Sequence, residues 1–340
     1  MTKKPRAYTF HAGKKRIDWL YETYHGPLVS DPLAFVLEVN NSYYKYWADV
    51  YSERHVEDIR REYAHMLASL AGANGAVGKP VIVDVGGGEG FDYDAFRREF
   101  NAWKRFIYIE PNADMNQRFR ARPDVKGQEN VEALSGRFED YADYVRQYDN
   151  KIILVSSSLH HMVWIEEFLD AVKSVMRTGD RLMLVHEPRN EYVWSPFMLA
   201  GYALRSVVTD FALRRLRRQA SPLVQRNNRL WRDVNNDLCE RGVTKGPLRP
   251  VVIRRIIDYG VGTKGDWRSV GVPSSFDEGH WRLDDVTKYL GPDFTVVYQA
   301  TYRHFGDCGG NRIIQVCNNL ARRVFPRGGS QFCAVIQKIH

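Results

Sequence analysis

Two constellations in this sequence have residue types and spacings that could do chemistry. The first is Val81-Ile-Val-Asp-Val-Gly-Gly-Gly-Glu-Gly90, in which an apolar run carrying Asp84 stops in Gly86, Gly87, Gly88 and Gly90. Such a run suits a strand buried on both faces of a parallel sheet, and glycines at its carboxyl end let a ligand approach the backbone. Open α/β sheets bind their ligands at that end. A phosphate-binding P-loop needs Gly-Lys-Ser/Thr after its last glycine, where this chain has Phe91 and Asp92. A dinucleotide loop wants a small residue at 91 and a helix N-terminus free to meet pyrophosphate, and Phe91, Asp92 and Asp94 oppose both. The expected ligand therefore carries no phosphate at this loop. Glu110 ends the next apolar segment, Arg105-Phe-Ile-Tyr-Ile-Glu110, and a carboxylate about twenty residues past the glycines can accept from both hydroxyls of a ribose.

The second constellation is His160 and His161, just after the apolar Lys151–Val155 and Ser156-Ser-Ser, with Glu187 at the end of the apolar segment that follows. Imidazole titrates near neutral pH and suits a general base. A carboxylate at the neighbouring strand end can orient the ring and stabilise the imidazolium. His160 is the expected base, Glu187 its orienter, and His161 a packing residue or second candidate. The alternative is that His160 only lines a pocket that works by aligning reactants.

The D-x-G-x-G-x-G of Asp84, Gly86, Gly88 and Gly90 resembles the first motif of class I S-adenosylmethionine (SAM) methyltransferases, and the resemblance covers roughly residues 80 to 190. It implies SAM as cofactor, whose ammonium and sulfonium tolerate nearby acids. It implies a Rossmann-like α/β fold with seven strands in the order 3-2-1-4-5-7-6. Cofactor contacts carried over by the resemblance are Asp84, Gly86, Gly87, Gly88 and Gly90, then Glu110 on the ribose. Pro111 and Asn112 would open a helix beside the adenine, Phe138 and Glu139 would hold its edge, and Ser156 and Ser157 would complete the site. The Leu-His-His of 159–161 resembles that of ubiquinone-type methyltransferases, and His160 with Glu187 resembles the dyad of polyketide carbon-methyltransferase domains. In related enzymes the helices ahead of the first motif close over the cofactor, which makes Tyr43, Tyr46, Trp47 and Tyr51 expected lid and substrate contacts.

The acceptor is narrowed by elimination. Amino methylases of adenine, cytosine and glutamine use an Asn/Asp-Pro-Pro-Tyr loop after strand four, where this chain has Ser156-Ser-Ser-Leu. No cysteine follows a proline, as cytosine carbon-5 methylation would want. A small-molecule acceptor is expected, methylated on oxygen, then nitrogen, then carbon in order of preference. A net charge of +8 over 340 residues favours an anionic or carrier-bound one. The alternatives are an RNA or protein methyltransferase using the arginine-rich run Arg214–Arg218, and a SAM-binding subunit without catalysis.

The elements that must position these groups follow in order. A basic arm (Lys3 to Arg16, within the first thirty residues) and a helical cap fill 1–78, with helical spacing over Ile59–Leu70 and a flexible joint at Ala71–Gly78. The SAM-binding core occupies 79–190. A helical insertion at 191–285 holds Phe197–Val208 and the arginine run, read as a solvated face, an anionic cradle or a membrane-surface helix. Residues 286–340 return as the last two strands, Phe294–Tyr302 and Gln331–Gln337, around a helix over Asn311–Val324. Four cysteines without C-x-x-C spacing, no transmembrane run and no signal peptide suggest a reduced, cytoplasmic chain. A metal held by His304, Asp307 and Cys308 is not expected.

Overall fold

The computed structural model describes residues 10–46, 79–99, 103–162, 164–188, 220–257, 282–305 and 312–340, together with 196 and 200. Trp47, Tyr51, the expected helix over Ile59–Leu70, the joint at Ala71–Gly78, Phe197–Val208 apart from residue 200, Arg214–Arg218, Asp307 and Cys308 lie outside the described residues.

Seven strands form one sheet in the order β3-β2-β1-β4-β5-β7-β6. They are β1 (Val81–Val85), β2 (Arg105–Glu110), β3 (Val131–Ser135), β4 (Lys151–Ser156), β5 (Arg181–Pro188), β6 (Phe294–Tyr302) and β7 (Gln331–Lys338). The first five are parallel; β7 runs antiparallel to β5, and β6 antiparallel to β7. This is the class I methyltransferase sheet. Its central strands are buried and mostly apolar because helices cover both faces: every residue of β1 is buried, and only the last residue of β4 is partly exposed.

On one face, Val83, Ile107, Ile153 and Leu184 pack against α5 (Ala142–Arg146), α6 (Ile165–Val175) and α9 (Leu283–Leu290). On the other, Ile82, Phe106, Tyr108 and Leu154 pack against α3 (Phe91–Glu99) and α4 (Ala113–Ala121). The helix α10 (Arg312–Val324) connects β6 to β7. The expected boundary between insertion and core at residue 285 falls within α9, which belongs to the sheet's own core through Leu283, Val286 and Leu290.

A second core joins segments far apart in sequence. The expected arm is helical from Phe10: α1 (Phe10–Tyr24) buries Ile17 and Leu20, and α2 (32–46) buries Phe35, Val36 and Val39. They pack on Trp231, Val234 and Leu238 of α7 (Ala220–Glu240) and on Ile253 and Ile256 of α8 (Pro250–Ile257). Asp237 pins the two groups, meeting Lys45 at 2.9 Å and Arg241 at 2.9 Å, while Arg241 also reaches Glu38 at 2.6 Å. No described helix is long and apolar enough to cross a membrane.

The amino end of β4 is held by a fully buried ion pair. Lys151 Nζ lies 2.7 Å from Asp180 and 2.6 Å from the Tyr148 carbonyl. Asp180 also accepts from the backbone N–H of Lys151 and of Arg177, each at 2.7 Å. Removing one partner strands a charge in the core, which costs about 3–5 kcal/mol. Lys151→Met is therefore expected to lower the unfolding free energy by about that amount, read from urea denaturation.

Candidate functional site

A cavity of about 410 Å³ opens over the carboxyl ends of β1, β2 and β4, between the sheet and α2. The β1 loop forms its floor. Gly88 has φ +55°, and a Cβ added there would meet nothing within 4 Å. Under Gly87, by contrast, a Cβ would fall 2.3 Å from an Asp84 carboxylate oxygen. The loop is thus packed tightly below and open above, as close ligand approach requires. The Tyr108 hydroxyl donates to the Gly88 carbonyl from beneath, and the Tyr108 ring stacks on Phe119 at 4.0 Å.

Glu110, at the end of β2, accepts from Gly88 N at 2.9 Å and Asn112 N at 2.8 Å. Burial pushes its carboxyl up to about 7, against the downward pull of those two donors. Asp84 is fully buried, with neither oxygen meeting a hydrogen-bond donor. Its pKa is raised well above the usual carboxylate range, first by burial and then by the charges of Asp92 and Glu110. Asp92 and Asp94 occupy the first turn of α3, where the helix dipole favours acids. Asn112 caps α4 by accepting from Met115 N at 3.0 Å, and its buried Nδ2 has no partner. The Glu110 carboxylate, the orphaned Asn112 amide donor and the open Gly88 at one floor, with Asp92 beside them, fit a ligand that carries hydroxyls and lacks phosphate.

Pro111, Phe138, Glu139, Ser156 and Ser157 also line the cavity, so the expected cofactor set of Gly86, Gly87, Gly88, Glu110 and Asn112 and these residues converges on one space. Asp84 and Gly90 stand behind it: Asp84 under Gly87, and Gly90 against Phe119, where a Cβ would fall 2.4 Å from the ring. Phe138 is buried in the sheet core, and Glu139 pairs with Arg137 at 2.8 Å.

The histidines divide their expected roles differently. Glu187 is fully buried and saturated, accepting from the backbone N–H of Ser158 and Leu159 at 2.9 Å each and lying 2.9 Å from His160 Nδ1. His160 is 8% exposed and is not among the residues lining the cavity. His161 lines it. Its Nδ1 lies 2.7 Å from the Ile257 carbonyl, which can only accept, so Nδ1 carries a proton and, in the neutral ring, Nε2 has the lone pair. The Tyr44 hydroxyl lies 3.3 Å from that Nε2. Glu187 and His160 thus hold the 156–161 loop from within, while His161 lines the cavity with its Nε2 beside the Tyr44 hydroxyl.

The lid expectation shifts by one residue. Tyr44 faces the cavity with Leu33, Leu37, Asn40 and Asn41, whereas Tyr43 lies 5.7 Å from Trp231 and, with Tyr46, packs on the second core. The positions 33, 37, 40, 41 and 44 form one helical face and 36, 39 and 43 another, a periodicity present in the sequence. Met162, Trp164, Arg137 and Ser158 also line the cavity without having been expected there.

No protein-family profile and no curated protein matches this sequence. Among solved structures, the chain is similar to the plantazolicin methyltransferase BpumL in complex with a pentazolic desmethylPZN analog and SAH, at 10% identity over 97% of this chain and 98% of that one, with a TM-score of 0.49. It is similar to a SAM-dependent methyltransferase from Anabaena variabilis at 13% identity over 88% and 95%, TM-score 0.43. It is also similar to the mitomycin 7-O-methyltransferase MmcR at 12% identity over 82% and 53%, TM-score 0.38. The fold assignment itself rests on strand order and register.

The orphaned carboxylate makes a prediction for the ligand-free chain. Because the folded-state pKa of Asp84 lies above the unfolded value, native protein holds a proton that the unfolded chain releases. Its contribution is intact below the unfolded carboxylate range and is lost as pH rises through the folded pKa. Asp84→Asn is expected to raise stability by about 1–3 kcal/mol at pH 8 and by little at pH 4, read by calorimetric melting at both pH values.

Proposed function

We propose that the protein is a SAM-dependent methyltransferase acting on a small molecule, with oxygen the preferred acceptor atom. The observation carrying this reading is Glu110, a buried carboxylate fixed by two backbone donors beside the open Gly88 and the orphaned Asp84. Glu110 would accept from the ribose hydroxyls. Asp92, on the cavity wall, would supply negative charge for the ammonium and sulfonium, with Asp84 behind it under Gly87, and Asn112, Phe138 and Glu139 would flank the adenine. SAM held there would supply an electrophilic methyl group for the acceptor's oxygen, with S-adenosylhomocysteine as the leaving group.

His161 takes the acceptor's hydroxyl proton on Nε2. The Ile257 carbonyl fixes the tautomer that leaves Nε2 basic and then stabilises the imidazolium through Nδ1–H. Tyr44 holds the imidazole edge on the acceptor side. His160 and Glu187 act by positioning: Glu187 ties down three successive backbone N–H groups from Ser158 to His160, fixing where His161 stands. Alignment by the cavity wall adds to this base catalysis.

Calorimetric titration of the purified chain with SAM, and separately with NADH, tests the cofactor. Micromolar SAM binding without NADH binding is expected, tightening several-fold from pH 6 to pH 8 as Glu110 ionises. Gly88→Asn, whose side chain tolerates left-handed backbone, should fold and lose SAM binding; a Gly88→Asn protein that binds SAM as the parent does would sink the loop assignment. His161→Ala should bind SAM normally and slow single-turnover methyl transfer by about 10²–10⁴-fold. His160→Gln should instead lower the melting temperature and leave the rate within about tenfold. The opposite pattern would return the base to His160.

A further inference from the structure

Two sets of elements with different chemistry line the cavity. The loops after β1, β2 and β3 bring Glu89, Asp92, Asp94, Glu110 and Glu139. The basic side chains among the described lining residues are Arg122 and Arg137, and both are engaged. Arg122 reaches Asp94, Asp124 at 2.9 Å, and the carbonyls of Glu89 and Gly90 at 3.2 and 3.3 Å. Arg137 sits between Glu139 at 2.8 Å and Glu167 at 2.9 Å. The opposite wall, from α2 and the segment after β4, is Leu33, Leu37, Tyr44, Met162 and Trp164, with the amides of Asn40 and Asn41. Asn40 donates its Nδ2 to the Val36 carbonyl at 2.8 Å, which turns its oxygen into the group left to accept.

We infer that the acceptor is an uncharged aromatic molecule bearing the hydroxyl that is methylated, and that the site discriminates against carboxylates and phosphates. The inference rests on the methyltransferase reading and names its substrate class. Flat aromatic and thioether walls suit a planar ring, whose contacts with Tyr44 and Trp164 gain both apolar burial and ring–ring attraction. Asn40 and Asn41 can pair with neutral polar substituents. An added carboxylate would find carboxylates across the cavity and no uncommitted arginine on the described wall, so its desolvation would go uncompensated. The cavity thus carries a local charge opposite in sign to the chain's net +8, and ligand selection follows the local field rather than the total.

The test uses a matched pair of probes, 2-naphthol and 6-hydroxy-2-naphthoate, titrated calorimetrically into the full chain with and without S-adenosylhomocysteine. The neutral probe is expected to bind at least about tenfold more tightly. Leu37→Lys, which places a cation on the apolar wall, is expected to narrow or invert that preference. Naphthoate binding as tightly as naphthol, neither probe binding at millimolar concentration, or a preference unmoved by Leu37→Lys would each overturn the inference. SAM binding is measured on the same samples. A chain that binds SAM but prefers naphthoate overturns the acceptor class alone. One that prefers naphthol but binds neither SAM nor S-adenosylhomocysteine overturns the methyl-transfer reading, and with it the naphthol site's role as an acceptor site.

Discussion

Carboxylates buried without enough donors are the constraint around which the rest of this structure is arranged. Asp84 has no hydrogen-bond donor, Asp92 lies close enough to raise its pKa, and Glu110 has two backbone donors but full burial. In a low-dielectric interior such a cluster is unfavourable until a cation or a set of hydroxyls arrives. The surrounding elements therefore hold it rather than relieve it. Gly87 closes over Asp84, Tyr108 braces the Gly88 carbonyl from below, and the stacked Phe119 leaves no room for a side chain at Gly90. A floor kept rigid in an unfavourable charge state is preorganised for a complementary ligand, because the unfavourable energy is already present in the free protein.

The sheet and this floor were legible in the sequence because both depend on local patterns. Four of the five parallel strands are mostly apolar runs, and Asp84, Glu110 and Glu187 sit near or at strand ends, so alternation of strand and helix suffices to bring them to one edge. Which of His160 and His161 lines the cavity was not legible, for a geometric reason. β5 bulges between Leu184 and Glu187, so that two residues, Val185 and His186, oppose Cys333 alone. His186 takes φ +56° there. The extra residue reverses the alternation and turns Glu187 to the face of Leu182 and Leu184, under the Ser158 and Leu159 amides. His160 is thereby drawn into the interior as the partner of Glu187, and the next residue is left at the cavity.

Tyr43 and Tyr46 lie away from the cavity for a different reason. Aromatic density marked Tyr43 and Tyr46 as expected contacts, but which face of α2 meets the cavity is decided by the second core, and that core is assembled from segments about two hundred residues apart. Val36, Val39 and Tyr43 turn toward Trp231 and Val234 because those residues offer apolar area, which leaves the face of Leu37, Asn41 and Tyr44 to the cavity. Helical periodicity separates the two faces without saying which is which. Only the long-range partner resolves the choice.

That second core also bears on the proposed base. The carbonyl at His161 Nδ1 belongs to Ile257 of α8 and the hydroxyl at Nε2 to Tyr44 of α2, so these two ring-nitrogen contacts come from the helices of the second core, while the His160 ring lies against the same imidazole from the loop itself, 3.9 Å between centroids. Without them the imidazole would be free to carry its proton on either nitrogen. Seating of the cap on the sheet and preparation of the base are therefore one structural event. A chain whose cap loosened would keep the carboxylate floor, since Glu110 and Asp84 are held entirely by β1, β2 and the loops that follow them, while losing the orientation of His161. Under the proposed function, cofactor affinity would belong to the sheet edge and transfer rate to the contact between the sheet and the helices of the second core.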